Sequence, residues 1–456
     1  MTKLARRTCA WLLAGACLAA AGCGDDDAAA DDGGTGDDVA DTADDTGGEA
    51  TDDGASEVPD DGTTETPDDA STDDGGEPLC PTDELLPWAG GSAYYASWSN
   101  GPPADPSYFP IAVWLQAPRN AAAYAAIGVN LFVGLWEGPT DAQLTELAGA
   151  SMPVVCDQNE VGLAHLADPT ILSWMHQDEP DNAQSDGSGG WGPCVPPETI
   201  RDLGAAMRAA DPSRPVYLNL GQGVAWDDWV GRGVCSDHNE HYPIYSEGAD
   251  IVSFDIYPAT SDREAVAGNL WYVAQGVERL RGWVADAKPV WTWIETTHIS
   301  NPDVRVTPHQ LRAEVWMALI HGAMGLGYFC HEFEPSFLEA GLLHYDDVRE
   351  EAAALNARIR ELAPVLNTQS VGNAVTVTSS DAAVPVATMV KRTPEATWLF
   401  AVAMRDAPTR ATFTLTCVAP EATAEVLGED RTVALSGAVL TDDFAGYDVH
   451  LYRVVD

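Results

Sequence analysis

Between residues 109 and 366 the chain repeats one pattern eight times. Apolar runs stand at 109–116, 128–136, 152–157, 171–179, 215–221, 250–257, 288–295 and 325–332. Helical stretches follow all but the fifth, at 120–127, 141–150, 161–167, 197–210, 265–286, 308–323 and 347–366. Thr140 is a natural N-cap for the second of these, and Pro197 suits the first turn of the fourth. Runs this uniformly apolar suit parallel strands buried on both faces. Strand–helix alternation over about 260 residues predicts a (β/α)₈ TIM barrel. No glycine-rich fingerprint follows the first run, which argues against a dinucleotide fold. After residue 369 the pattern shortens to runs rich in Val, Thr and aromatics, at 375–379, 386–392, 398–404, 411–417 and 450–454. These predict a small C-terminal β-sandwich.

The regions before the barrel are not core material. Lys3, Arg6 and Arg7 precede an apolar run from Cys9 to Ala21, too short to span a bilayer but suited to an export signal. Ala20-Ala21-Gly22 directly before Cys23 resembles a bacterial lipoprotein processing site, which implies lipidation of Cys23 and a membrane anchor. Residues 24–77 hold 18 Asp and 4 Glu and no Lys, Arg or aromatic. Such a segment cannot bury enough apolar surface to offset ordering entropy. The expected organisation is therefore a signal at 1–23, an acidic tether at 24–78, a barrel at 79–368 and a sandwich at 369–456. The chain's net charge of −48 excludes nucleic acid as a partner. Beyond Cys23 six cysteines remain, and an exported chain permits disulfides. Cys194 and Cys235, both in long loops, are the first pair expected; Cys156 and Cys330 lie in strands and suit buried thiols equally well.

Barrel enzymes carry their chemistry at the C-terminal ends of the strands. The fourth run, ILSWMHQDEPD, turns polar at Gln177, Asp178 and Glu179 and is stopped by Pro180. Period-two alternation places Tyr217 and Asn219 of the fifth run, Asp255 and Tyr257 of the sixth, and Trp293 and Glu295 of the seventh towards the lumen. Trp136 and His331 end the second and eighth runs.

Two carboxyl groups across a pocket are what glycosidic cleavage needs. Glu179 and Glu295, on strands four and seven, resemble the acid/base and nucleophile of the large clan of retaining (β/α)₈ glycoside hydrolases. The resemblance covers the barrel, and a trailing β-sandwich is a common companion in that clan. It implies a retaining glycoside hydrolase acting on a poly- or oligosaccharide, with Tyr257 at a position that often hydrogen-bonds the nucleophile. Asp178, Gln177, Asn219, Asp255, Tyr257, Trp293, His331 and Trp136 are the expected substrate contacts. Among the loop and strand-end tryptophans (Trp98, Trp136, Trp191, Trp226, Trp229 and Trp293), some are expected to stack on sugar rings. Asp178 stands where the clan usually has Asn, and Trp136-Glu137 where it often has Arg. These departures sustain a rival reading, a surface glycan-binding lipoprotein on a degenerate barrel. His238-Asn-Glu-His241 lacks the helical spacing of a metalloprotease motif, so no catalytic metal and no cofactor are expected. A monomer is expected.

Overall fold

The computed structural model describes residues 80–456 except 189, 230–234, 236, 300 and 456. The export signal, Cys23 and the acidic tether lie outside the described residues. Eight parallel strands close into a barrel in sequence order. They are β1 (Ile111–Trp114), β2 (Leu131–Val133), β3 (Val154–Asp157), β4 (Ile171–Met175), β5 (Val216–Leu220), β6 (Ile251–Asp255), β7 (Val290–Glu295) and β8 (Gly325–Phe329). Closure runs through β1 and β8, with Ile111 opposite Leu326. The helices between them are α1 (Ala121–Ala126), α2 (Asp141–Gly149), α3 (Glu160–Ala164), α4 (Pro197–Ala210), α5 (Tyr242–Glu247), α6 (Trp271–Trp283), α7 (Pro308–Ile320), α8 (Gly341–His344) and α9 (Asp346–Leu366). Among the described residues, no helix is long and apolar enough to cross a membrane.

Local chemistry sets most boundaries. Thr140 and Gln143 form a reciprocal capping box at the start of α2, and Thr307 and Gln310 do the same for α7. The helix expected at 265–286 begins only at Trp271, because Gly268 adopts φ 74° and the chain before it runs in turns. The short α5 sits inside the 222–248 insertion, where no helical pattern is readable.

Strand alternation sorts side chains between two cores. Ile111, Val113, Leu218, Leu220, Phe254 and Ile294 face the helices. Trp114, Met175, Tyr217, Trp291 and Trp293 fill the lumen. Room for the two β7 indoles comes from glycines on the neighbouring strand. A Cβ at Gly325 would lie 2.6 Å from the Trp291 ring, and one at Gly327 only 2.1 Å from Trp293. Below the lumen, the 3₁₀ turn Gly91–Ser97 supplies Tyr95, whose hydroxyl accepts from Trp291 Nε1 at 3.3 Å.

The C-terminal part is a β-sandwich. Its strands are β9 (Val371–Gly372), β10 (Val375–Ser379), β11 (Val386–Thr393), β12 (Ala396–Ala403), β13 (Thr409–Leu415), β14 (Thr423–Val426), β15 (Arg431–Ala434), β16 (Val439–Phe444) and β17 (Val449–Val455). One sheet has the order β10-β13-β16, the other β11-β12-β17-β14-β15. Leu399, Phe413, Leu440, Phe444 and Tyr452 form its core. It packs on the barrel through Phe400, whose ring stacks on Trp316 of α7 at 5.6 Å. Besides the two-residue β9, three strands lack a clear sequence signal: β14, β15 and β16 are short, with Glu425 and Asp443 exposed and Arg431 half-buried. The lead-in strand Glu84–Leu85 pairs with β9, and a disulfide joins Cys80 to Cys417. A second disulfide joins Cys194 to Cys235 across the two long loops, with Cα atoms 5.7 Å apart. Cys156 and Cys330 are buried thiols.

Candidate active site

Glu179 lies four residues beyond β4, half-buried, in a backbone conformation that L residues seldom adopt, φ 41°. The turn holds it there. Its own N–H donates to Asn219 O at 3.2 Å, and its carbonyl accepts from Asn182 N at 3.1 Å and Gln184 Nε2 at 3.0 Å. Asn182 Nδ2 donates to Glu179 Oε2 at 2.9 Å, and Trp229 Nε1 fixes the other end of that amide at 2.8 Å. Beneath the carboxylate is Gly221; a Cβ there would come within 3.1 Å of Glu179 Oε1 and 2.9 Å of Asn182 Nδ2. Strain at a residue so thoroughly tied down is a feature of functional positions.

A column of hydrogen bonds rises through the lumen to this point. Trp293 Nε1 donates to the Tyr217 hydroxyl at 2.9 Å, which shares a 2.5 Å hydrogen bond with Ser253. Ser253 Oγ donates to Asn219 Oδ1 at 2.7 Å. That contact orients the Asn219 amide, so its Nδ2 is turned up to the acids. It donates to Asp178 Oδ1 at 2.9 Å and to Asp255 Oδ2 at 3.5 Å. The Tyr257 hydroxyl donates to the same Asp255 oxygen at 3.3 Å. Burial, and then the charges of Glu179 and Asp178, push the Asp255 carboxyl well above the usual carboxylate range, and it hydrogen-bonds Glu179. Asp181, also buried, is pushed up to about 7 by desolvation and the Glu179 charge, although Gly221 N and the Tyr242 hydroxyl donate to it.

The structure brings Asp178, Glu179, Asn219, Asp255 and Tyr257 together and leaves other expected site residues elsewhere. Glu295 is 0 % exposed. Its carboxylate accepts from Ala259 N at 2.6 Å, from Thr260 N at 2.9 Å and from the Thr260 hydroxyl. The buried Glu314 carboxyl of α7 is its neighbour. This acid is therefore turned into the helical layer behind the strand, away from the lumen position that alternation predicts. At the end of β7, three donors from the loop after β6 outweigh the pleat in setting its direction.

Trp293 does face inward, but at 1 % exposure it is barrel filling that no sugar can reach. His331 is buried, its Nε2 on Leu115 O at 3.2 Å, and desolvation pushes it down to about 4. Gln177 is half-buried and donates to Gln184 Oε1 at 3.1 Å, bracing the loop rather than the acids. Trp136 is 36 % exposed on the loop after β2, able to offer a ring face at the mouth. From Tyr257 an aromatic path runs outward through Phe329 (5.2 Å) to Phe333 and the exposed Phe337. Phe333 and Phe337, in the loop after β8, carry no signal beyond their aromaticity. Asp181 and Asn182 read as turn residues in sequence, and only their contacts across β5 reveal their part in holding Glu179.

No family model matches this sequence, and no curated protein is similar to it at a meaningful level. Solved structures are similar in fold. A catalytic mutant of a GH42 β-galactosidase from G. stearothermophilus has a TM-score of 0.50 at 8 % identity, covering 77 % of this chain and 98 % of that one. An α-amylase from Geobacillus thermoleovorans, complexed with acarbose, has a TM-score of 0.48 at 9 % identity over 79 % and 99 % of the two chains. A GH30 endoxylanase from Clostridium papyrosolvens C71 gives 0.44 at 10 % identity over 76 % and 96 %. The structural neighbours are glycoside hydrolases, and what they share with this chain is the fold.

Proposed function

We propose that this chain is a glycoside hydrolase acting on a poly- or oligosaccharide by double displacement. Glu179 is its acid/base and Asp255, rather than Glu295, its nucleophile. What supports this reading is the convergence of the Asn219 amide and the Tyr257 hydroxyl on one Asp255 oxygen, close to the Glu179 carboxylate held on its left-handed turn. A sugar entering the mouth parts the two carboxyls. Glu179 acts as the acid and gives a proton to the leaving oxygen. Asp255, left charged, attacks the anomeric carbon, and its Oδ2 is stabilised by the two donors already aimed at it. Departure of the aglycone frees Glu179 to take a proton from water, which then cleaves the glycosyl ester. Retention requires the carboxyls to stand about 5–5.5 Å apart with substrate between them. Asp178, held by Asn219, adds to the burial that raises the Asp255 carboxyl.

The test is a glycan panel with product sizing, followed by NMR of the first-formed anomer on the best substrate. Release of product with retained configuration is expected. Glycan affinity with no release from any member would instead support the non-catalytic binding protein.

The same proposal places the protein in the bacterial cell envelope, anchored through lipidated Cys23 with residues 24–77 as tether. The N-terminal charge–apolar–Cys order and the aspartate-rich run support it. Cys23→Ser should move the chain from the detergent phase to the aqueous phase on Triton partitioning; equal partitioning of both forms would refute the anchor.

A further inference from the structure

The 222–248 insertion carries a cluster that plays no part in the proposed hydrolysis. His238, Glu240 and His241 sit on the single turn that leads into α5. Glu240 Oε1 lies 3.1 Å from His238 Nδ1 and 3.9 Å from His241 Nε2, and the three ligand-type atoms all fall within 4.8 Å of one another. In a tetrahedral zinc site with bonds of about 2.0–2.1 Å, neighbouring ligand atoms stand about 3.4 Å apart. The two nitrogen–oxygen separations bracket that value, so small side-chain rotations complete the geometry. The imidazole rings are nearly parallel, centroids 4.7 Å apart, and would repel if both were protonated.

The backbone beneath is already fixed. The Cys194–Cys235 disulfide anchors the loop three residues upstream of His238. Asn239, between the ligands, donates to Asp227 at 2.9 Å and accepts from Arg279 at 2.9 Å. A cation therefore meets a turn that needs little further ordering. All three side chains remain accessible, Glu240 most of all.

We infer that His238, Glu240 and His241 form a binding site for a divalent transition metal of the zinc type, non-catalytic and distinct from the acid cluster. Two imidazoles and one carboxylate select borderline-soft ions over Ca²⁺ or Mg²⁺, which demand more oxygen ligands. Water fills the remaining coordination position. The consequence is structural: α5 starts at Tyr242, whose hydroxyl reaches Asp181 at 3.3 Å, so a metal here pins the wall on which the Glu179 turn rests.

The experiment titrates the full-length chain with Zn²⁺ by calorimetry and with Co²⁺ by visible d–d absorption. The aspartate-rich segment adds weak sites of its own, so the same titration is run on His238→Ala/His241→Ala. One tight equivalent is expected in the parent chain and not in the double variant, a fall in affinity of about 100-fold, with Ca²⁺ binding equal in both. Glu240→Gln, which keeps both imidazoles, should weaken Zn²⁺ about tenfold and guards against a folding defect in the double variant. Equal Zn²⁺ affinity and stoichiometry in the parent and both variants would overturn the site, as would a parent chain that binds Zn²⁺ no more tightly than Ca²⁺.

Discussion

Glu179→Gln and Asp255→Asn each lower turnover by about 10³-fold or more, with the fold intact. Each change is isosteric and removes the acid function or the charge while sparing the packing, and general acid and covalent catalysis both act at this scale. The two losses are not additive, because both residues act in one covalent cycle. Glu295→Gln is the discriminating variant. Its carboxylate is enclosed by Ala259, Thr260 and Glu314, so its expected cost falls on stability. An amide offers one oxygen to donors that now find two, a loss of about 1–3 kcal/mol, while kcat stays within severalfold. A 2-fluoro glycoside of the sugar chosen by the panel should leave its covalent label on Asp255. A label on Glu295, or loss of turnover in Glu295→Gln with unfolding unchanged, would transfer the nucleophile to strand seven.

Replacing Glu314 by Gln makes the protein relatively more stable as pH rises from 5 to 8. Burial pushes Glu295 from 4.5 up to about 7, and burial together with the Glu295 charge pushes Glu314 well above its usual range. Both carboxyls thus bind protons more tightly folded than unfolded. The stability they contribute is fully present below about pH 4.5 and is lost as pH climbs through their native values. In Glu314→Gln the like charge beside Glu295 is removed, so Glu295 ionises at less cost. The stability difference, variant minus parent, should therefore widen between pH 5 and 8 by a few kcal/mol, read by urea denaturation at each pH. Asp181 and Asp255 shift in the same direction, while His331 and His176, pushed down by burial, oppose them, so the comparison with Glu314→Gln isolates the pair. A constant difference across that range would show that the two buried acids do not raise each other's affinity for protons.

The barrel was legible because each of its strands is buried on both faces and each is followed by punctuation. The same alternation put Tyr217, Asn219 and Asp255 into the lumen, where they are found. It failed at Glu295, the last residue of its strand, where the next pleat is missing and donors 35 and 36 residues earlier in the chain capture the side chain. Trp293 shows a different limit. Alternation gives the face but not the depth, and depth was set by Gly327 on the neighbouring strand, which opens space for the indole below the mouth. Asp255 was visible as a lumen residue; its coupling to Glu179 depends on the left-handed turn at Glu179, which no local pattern announces. In the sandwich, β14 to β16 escaped notice because their alternating polar residues resemble turns.

The lead-in before β1 has a mechanical consequence. It is secured at the end of the barrel opposite the acids: Cys80 is bonded to Cys417, Glu84–Leu85 pairs with β9, and Asn367 at the end of α9 donates to the carbonyls of Pro106 and Tyr108. Any force applied through the chain's N-terminal side is taken up by a covalent cross-link to the sandwich before it reaches a barrel strand. Such a pull would be borne by the cross-link, with the two-stranded clasp in parallel and shielded by it, and the turn that strains Glu179 would carry none of it.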